Sequence, residues 1–181
     1  MKYKLRLDLK LELKFVTLYR IERISNGEIG GWIESEENLS QYGNAWVYGN
    51  AQVSGNAQVY GNAQVYGNAR VYGEARVYGD CWVYGKAQIY GNAHVYGEAQ
   101  IYGEALVTSD DDFCAMAGFG SAYRTTTAYR TKAGGIGISC GCFYGTLDEF
   151  RLQVEKTHGD NKFGREYQAM IQLIKVKFEV E

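Results

Sequence analysis

From Tyr42 to Val107 the apolar and polar positions recur every six residues, eleven times, without insertion. The unit is Tyr-Gly-Asn-Ala-x-Val. A small residue stands two places after each glycine, always Ala except at Cys81, and Val or Ile stands four places after it, from Val47 to Val107. Six residues are too few for a helical repeat and too regular for independent hairpins, so each unit reads as one side of a parallel β-helix, three to a turn of about 18 residues. Strand alternation then points the small residue and Val inward, and the x residue and Tyr outward. Gly and Asn take the corner, where positive φ is tolerated.

The flanks carry other periods. Residues 2 to 15 alternate strictly, with Tyr3, Leu5, Leu7, Leu9, Leu11, Leu13 and Phe15 on one face and charged residues on the other. This predicts a strand with one buried face, pairing with a second strand near Leu18 to Ile24 or reaching a partner chain. As a cap it would cover the open end of the coil. Counting back by six places Ile33 and Leu39 in the inward Ala column, so the coil starts irregularly before Tyr42. After Val107, Asp110-Asp111-Asp112 breaks the pattern. Ser121 to Phe143 reads as a hairpin turning at Lys132-Ala133-Gly134-Gly135. Thr146-Leu147-Asp148-Glu149 is a capping box opening a helix that ends near His158-Gly159, and a second helix starts near Asn161. The expected organisation is an N-terminal strand and cap over 1–41, a repeat coil over 42–107, and a C-terminal hairpin plus two helices over 108–181.

The aliphatic and small positions of the repeat resemble those of the hexapeptide-repeat, left-handed β-helix proteins, and the left hand is implied by that resemblance alone. Leu18-Tyr19-Arg20-Ile21, then Gly30-Gly31-Trp32-Ile33-Glu34, Glu37-Asn38-Leu39-Ser40 and Gly43-Asn44-Ala45-Trp46-Val47, look like the opening of repeat proteins of bacteriophages and prophages, including the YdcK type. The resemblance implies a mainly β, left-handed parallel β-helix with an N-terminal β cap and a small C-terminal α+β module, and a phage or prophage origin. The run Gly141-Cys142-Phe143-Tyr144-Gly145-Thr146-Leu147 to Thr157-His158-Gly159-Asp160 also resembles a C-terminal module of such proteins.

Composition narrows the function. A formal charge of -2 argues against a strongly basic nucleic-acid binder and against an acidic mimic of DNA. No apolar run approaches the length of a membrane span, and the charged N-terminus lacks the apolar core of a signal peptide, so the expected location is the host cytoplasm. There Cys81, Cys114, Cys140 and Cys142 read as free thiols. Cys114, Cys140, Cys142 and His158 also offer a zinc ligand set, but without paired two-residue spacings.

Catalytic chemistry finds little footing. Many hexapeptide-repeat relatives are acyltransferases with a histidine base beside an extruded loop, and here the only histidines are His94, within an unbroken repeat, and His158. No cofactor is expected. The expected function is a non-enzymatic, protein-binding scaffold inhibiting a host antiviral defence complex or nuclease. The alternatives are a structural or assembly protein acting through self-association, and an acyltransferase-like enzyme. The outward columns supply the candidate interaction surface: Trp46, Arg70, Tyr72, Arg76, Trp82, Tyr84, Tyr90 and His94. The tyrosine columns are expected to stack rung upon rung. The expected partner is a host protein or protein–nucleic acid complex, with a homodimer favoured over a trimer and no membrane or direct nucleic-acid contact.

Overall fold

A computed structural model describes residues 1–180. Strands β1 (Tyr3–Glu12), β2 (Thr17–Arg23) and β3 (Ile29–Ile33) precede eleven two-residue strands, β4 to β14, one per hexapeptide from Trp46–Val47 to Leu106–Val107. Parallel pairing aligns each strand with the one three units on, giving about four turns and three faces. The columns are Trp46, Gln64, Trp82 and Gln100; Gln52, Arg70, Gln88 and Leu106; and Gln58, Arg76 and His94, the grouping the period predicts.

Inside, every Ala from Ala45 to Ala105, Cys81, and every Val or Ile from Val47 to Val107 is fully buried. Burying a Val side chain is worth about 1.5–3 kcal/mol, so the branched column is the main drive for coil formation. The corners belong to glycine alone. Gly85 has φ +75°, and a Cβ there would stand 2.8 Å from the Gly103 amide nitrogen one turn on. None of the corner asparagines takes a positive φ. They form ladders instead: Asn44 Nδ2 donates to Asn62 Oδ1 and Asn62 Nδ2 to Asp80 Oδ1, at 3.0 and 2.8 Å.

The N-terminal end departs from its expected register. Ile33 and Leu39 do point inward, but they align with Val53 and Val59, in the Val column rather than the Ala column. Ile33 and Leu39 are six apart, as Val53 and Val59 are, whereas Val47 aligns with Val65, so the two extra residues lie between Leu39 and Val47, just after the short 3-10 turn Glu36–Asn38. Buried Asn38 holds that turn, accepting from the Glu34 and Ser35 amides and donating to the Gly55 and Ala57 carbonyls. β1 and β2 form an antiparallel hairpin that extends one face of the coil through β3. The fully buried face expected of β1 is only partly realised. Tyr3 is buried and Leu5 packs on the core, whereas Leu7, Leu9, Leu13 and Phe15 are exposed, because the outer half of the hairpin projects past the coil.

Beyond the coil, β15 (Phe113–Met116), β16 (Thr126–Arg130), β17 (Ile136–Cys140) and β18 (Phe143–Thr146) form an antiparallel meander. The expected hairpin is its central pair. Helices α1 (Leu147–His158) and α2 (Lys162–Phe178) follow, and Thr146 and Glu149 exchange the two hydrogen bonds of the capping box. The meander plugs the last turn: Thr127 Oγ1 accepts from the Gln100 amide, and Ser139 Oγ donates to the Gln100 carbonyl. Tyr129 and Phe113 complete the coil's apolar interior. An open ladder end is thus satisfied by hydroxyls rather than water.

Candidate functional site

Three of the outward columns become stacked tyrosine ladders. Ring centroids lie 4.9 Å apart for Tyr60–Tyr78 and Tyr66–Tyr84, and 4.8 Å for Tyr72–Tyr90. Strand spacing in a sheet is about 4.8 Å, so the backbone sets the stack and each ring is held by its neighbour. Tyr48 turns edge-on to Tyr66 and begins a different surface.

That surface is an open groove of about 810 Å³ lined by Arg23, Asn44, Tyr48, Asn62, Gln64, Tyr66, Asp80 and Trp82. Trp82, 47% exposed, meets Tyr66 edge-on at 6.2 Å. The contact runs to the tyrosine column that follows the Trp column, because Trp82 and Tyr84 flank inward Val83 on one side of the strand, while a corner separates Trp82 from Tyr78. Gln64 Nε2 is fixed by the Asn44 and Asn62 carbonyls, leaving its oxygen uncommitted to either. The groove therefore offers a rigid aromatic wall beside an amide and carboxylate ladder.

Of the eight candidate surface residues, Trp46 is a correction. It is fully buried, with Tyr3 edge-on at 6.1 Å and the Arg23 guanidinium 4.0 Å from its ring centroid. The N-terminal hairpin lies over the first turn, and a contact so distant in sequence leaves no trace in the repeat. Its indole Nε1 has no hydrogen-bond partner among the described residues. Tyr84 is half-buried, with Tyr144 of the C-terminal meander edge-on at 5.9 Å, and burial raises its phenol pKa. Tyr72 and Tyr90 are likewise half-buried in their stack.

Arg70 and Arg76 are exposed on two different faces. One rung beyond Arg76, His94 is tied to the polar break: its amide donates to Asp110 Oδ1 at 2.7 Å, and its Nδ1 lies 3.2 Å from both Asp110 oxygens. Trp82, Arg70, Arg76 and His94 are thus spread around the coil rather than gathered in one patch. The polar groove residues that periodicity did not single out are Arg23, Asn44, Asn62, Gln64 and Asp80. Arg23 comes from the hairpin, and the others occupy columns that look uniform in sequence.

Of the candidate zinc ligands, Cys140, Cys142 and His158 border one small cavity and Cys114 does not line it. Among the described residues, no group of three or more His, Cys, Asp or Glu is placed to hold a metal ion. Cys140 Sγ instead lies 3.2 Å from the Thr126 hydroxyl, and His158 stacks on Tyr167 with centroids 5.5 Å apart. Cys81 fills its Ala position, and burial pushes its thiol pKa up to about 12.

No helix is long and apolar enough to cross a membrane among the described residues. A comparison with curated proteins gives no match. The model of the YdcK beta solenoid repeat matches residues 51–65, 63–74, 69–85 and 87–98. The matched segments lie within the stacked turns described above, each with its inward Ala and Val, and the repeat coil is a β-solenoid whose turns are similar to the YdcK beta solenoid repeat.

Proposed function

We propose that the chain is a non-catalytic, protein-binding scaffold that docks its coil on a host protein or protein–nucleic acid complex of antiviral defence, in the host cytoplasm. The observation that carries the reading is the Trp82 groove. A tryptophan left 47% exposed on a wall braced by Tyr66 is a pre-organised anchor, the residue type and rigidity that dominate binding energy at protein interfaces. Exposed Arg70 and Arg76 add charged contacts on the flanking faces. The resemblance of the coil's opening words to phage and prophage repeat proteins directs the search to bacterial defence machinery.

The test is affinity capture from a phage-sensitive host, followed by reconstitution with the purified partner. Trp82→Ala is expected to weaken that purified complex by tenfold or more, since an anchor at an interface contributes about 2 kcal/mol or more. A direct partner that binds Trp82→Ala and Arg76→Ala as well as wild type moves the contact off the coil. Heat on titration with acetyl-CoA would instead favour the acyltransferase class.

A further inference from the structure

We propose that the Trp82 groove takes an arginine side chain of the partner, its guanidinium laid on the Trp82 indole and hydrogen-bonded to Asp80 and Gln64. The inference rests on the reading of this groove as a protein-docking surface and names the side chain it receives.

The chain builds the same arrangement within itself. Two of its three tryptophans are capped by arginine: the Arg20 guanidinium carbon lies 4.1 Å from the ring centroid of Trp32, and that of Arg23 4.0 Å from the ring centroid of Trp46. A carboxylate completes the second cap, with Glu28 Oε2 2.9 Å from Arg23 Nε. Trp82 stands in the Trp46 column, two turns on through Gln64. It is 47% exposed where Trp46 is fully buried, and among the described residues no cation lies over its ring. A counter-charge is nevertheless in place. Asp80 and Trp82 flank inward Cys81, so both side chains point out on one side of the coil and line the same groove. Asp80 is exposed, and its side chain meets a neutral amide, Asn62 Nδ2 donating to Oδ1 at 2.8 Å. Trp82 thus has the ring and the carboxylate of the Trp46 site without the cation between them.

Hydrogen-bonding capacity selects the same ligand. The amide donors of the groove are turned into the ladder: Gln64 Nε2 donates to the Asn44 and Asn62 carbonyls, Asn44 Nδ2 to Asn62 Oδ1, and Asn62 Nδ2 to Asp80. Gln64 Oε1 and the second Asp80 oxygen are left as acceptors. A guanidinium carries five donors, no acceptor, and a plane that stacks on an aromatic face. Lysine supplies the charge but not the plane, and an acidic ligand would meet the Asp80 charge. Arg23 lines the groove too, but its charge is met by Glu28 and it sits over Trp46, two rungs or about 10 Å from Trp82.

The probe is N-acetyl-arginine N-methylamide, titrated into the full chain at low salt and followed by the Trp82 indole N–H resonance, assigned by its loss in Trp82→Phe. The expected result is a saturable shift with a midpoint of about 1–20 mM, as one cation–π contact beside one ion pair allows. The citrulline analogue, similar in shape but uncharged, should not saturate below about 50 mM, and the lysine analogue should need about threefold more than arginine. Asp80→Asn, which keeps an amide oxygen for Asn62, should raise the arginine midpoint about threefold. Circular dichroism verifies that the variants are folded. No saturable shift with arginine overturns the proposal, as does an equal response to either analogue or a midpoint unmoved by Asp80→Asn. A purified host partner separates this inference from the docking reading beneath it. Binding that falls in Trp82→Ala but is unchanged in Asp80→Asn overturns the arginine assignment and leaves protein docking at the groove intact. Binding indifferent to Trp82→Ala overturns docking at this groove, and the arginine with it.

Discussion

Two corner glycines separate the two physical reasons for glycine in this repeat. Gly97 has φ +69° and open space for 4 Å around the place a methyl group would take, whereas at Gly85, φ +75°, the same methyl would lie 2.8 Å from Gly103 N and 3.2 Å from Gly103 Cα. Gly97→Ala should therefore cost only the left-handed backbone penalty, about 1–2 kcal/mol. Gly85→Ala carries that penalty and also drives two rungs apart. The Lys86 amide to Gly103 carbonyl bond, 2.9 Å, sits at the contact. Loss of one or two ladder bonds at about 1 kcal/mol each brings its cost to about 2–4 kcal/mol. Urea unfolding followed by far-ultraviolet circular dichroism, fitted with a shared slope, gives both values. Equal losses in the two variants would refute the argument that rung contact, and not φ alone, demands glycine at the corners.

Burial also distinguishes the two tryptophans that share a column. Trp46→Ala should destabilise by about 3–5 kcal/mol, as a fully buried aromatic does, and Trp82→Ala by well under half of that; thermal unfolding of both variants measures the contrast. Cys81 gives a pH signature. Its folded thiol pKa is raised to about 12 by burial, so the folded state keeps a proton that the unfolded chain releases near its ordinary value. Its contribution is fully present at neutral pH and is lost as pH rises toward 12. Wild-type stability should fall relative to Cys81→Ala over that window, and parallel pH profiles of the two would contradict the assignment.

The coil was legible because its side chains answer to a single constraint. A strict six-residue period with one inward Ala and one inward Val admits one register, and the three outward columns follow from it. The same logic failed where contacts are remote in sequence. Trp46 occupies the same repeat position as Trp82, yet Tyr3 and Arg23 arrive from more than twenty residues away and cover it. Ile33 and Leu39 point inward as expected but stand two residues out of register, since the two extra residues between Leu39 and Val47 carry no hydrophobic period. The alternation in β1 described the strand and misjudged its burial, because an alternating pattern says which side chains share a face and not what lies against that face. The groove was invisible for a related reason. Asn44, Gln64 and Asp80 are ordinary repeat letters until Arg23 and the edge-on Tyr48 set them in a concave surface.

The hydroxyl plug at Gln100 makes the coil a spacer with discrete settings. Thr127 and Ser139 grip one particular face of the final turn, so the C-terminal module is keyed to that face. Duplicating three hexapeptides would leave the module pointing as before and move it outward by one strand spacing, about 4.8 Å. Duplicating one would swing it a third of a revolution around the coil. Repeat number therefore encodes two geometric variables at once, the reach and the bearing of the C-terminal module relative to the N-terminal hairpin, and a lineage can alter either without touching a single packing residue.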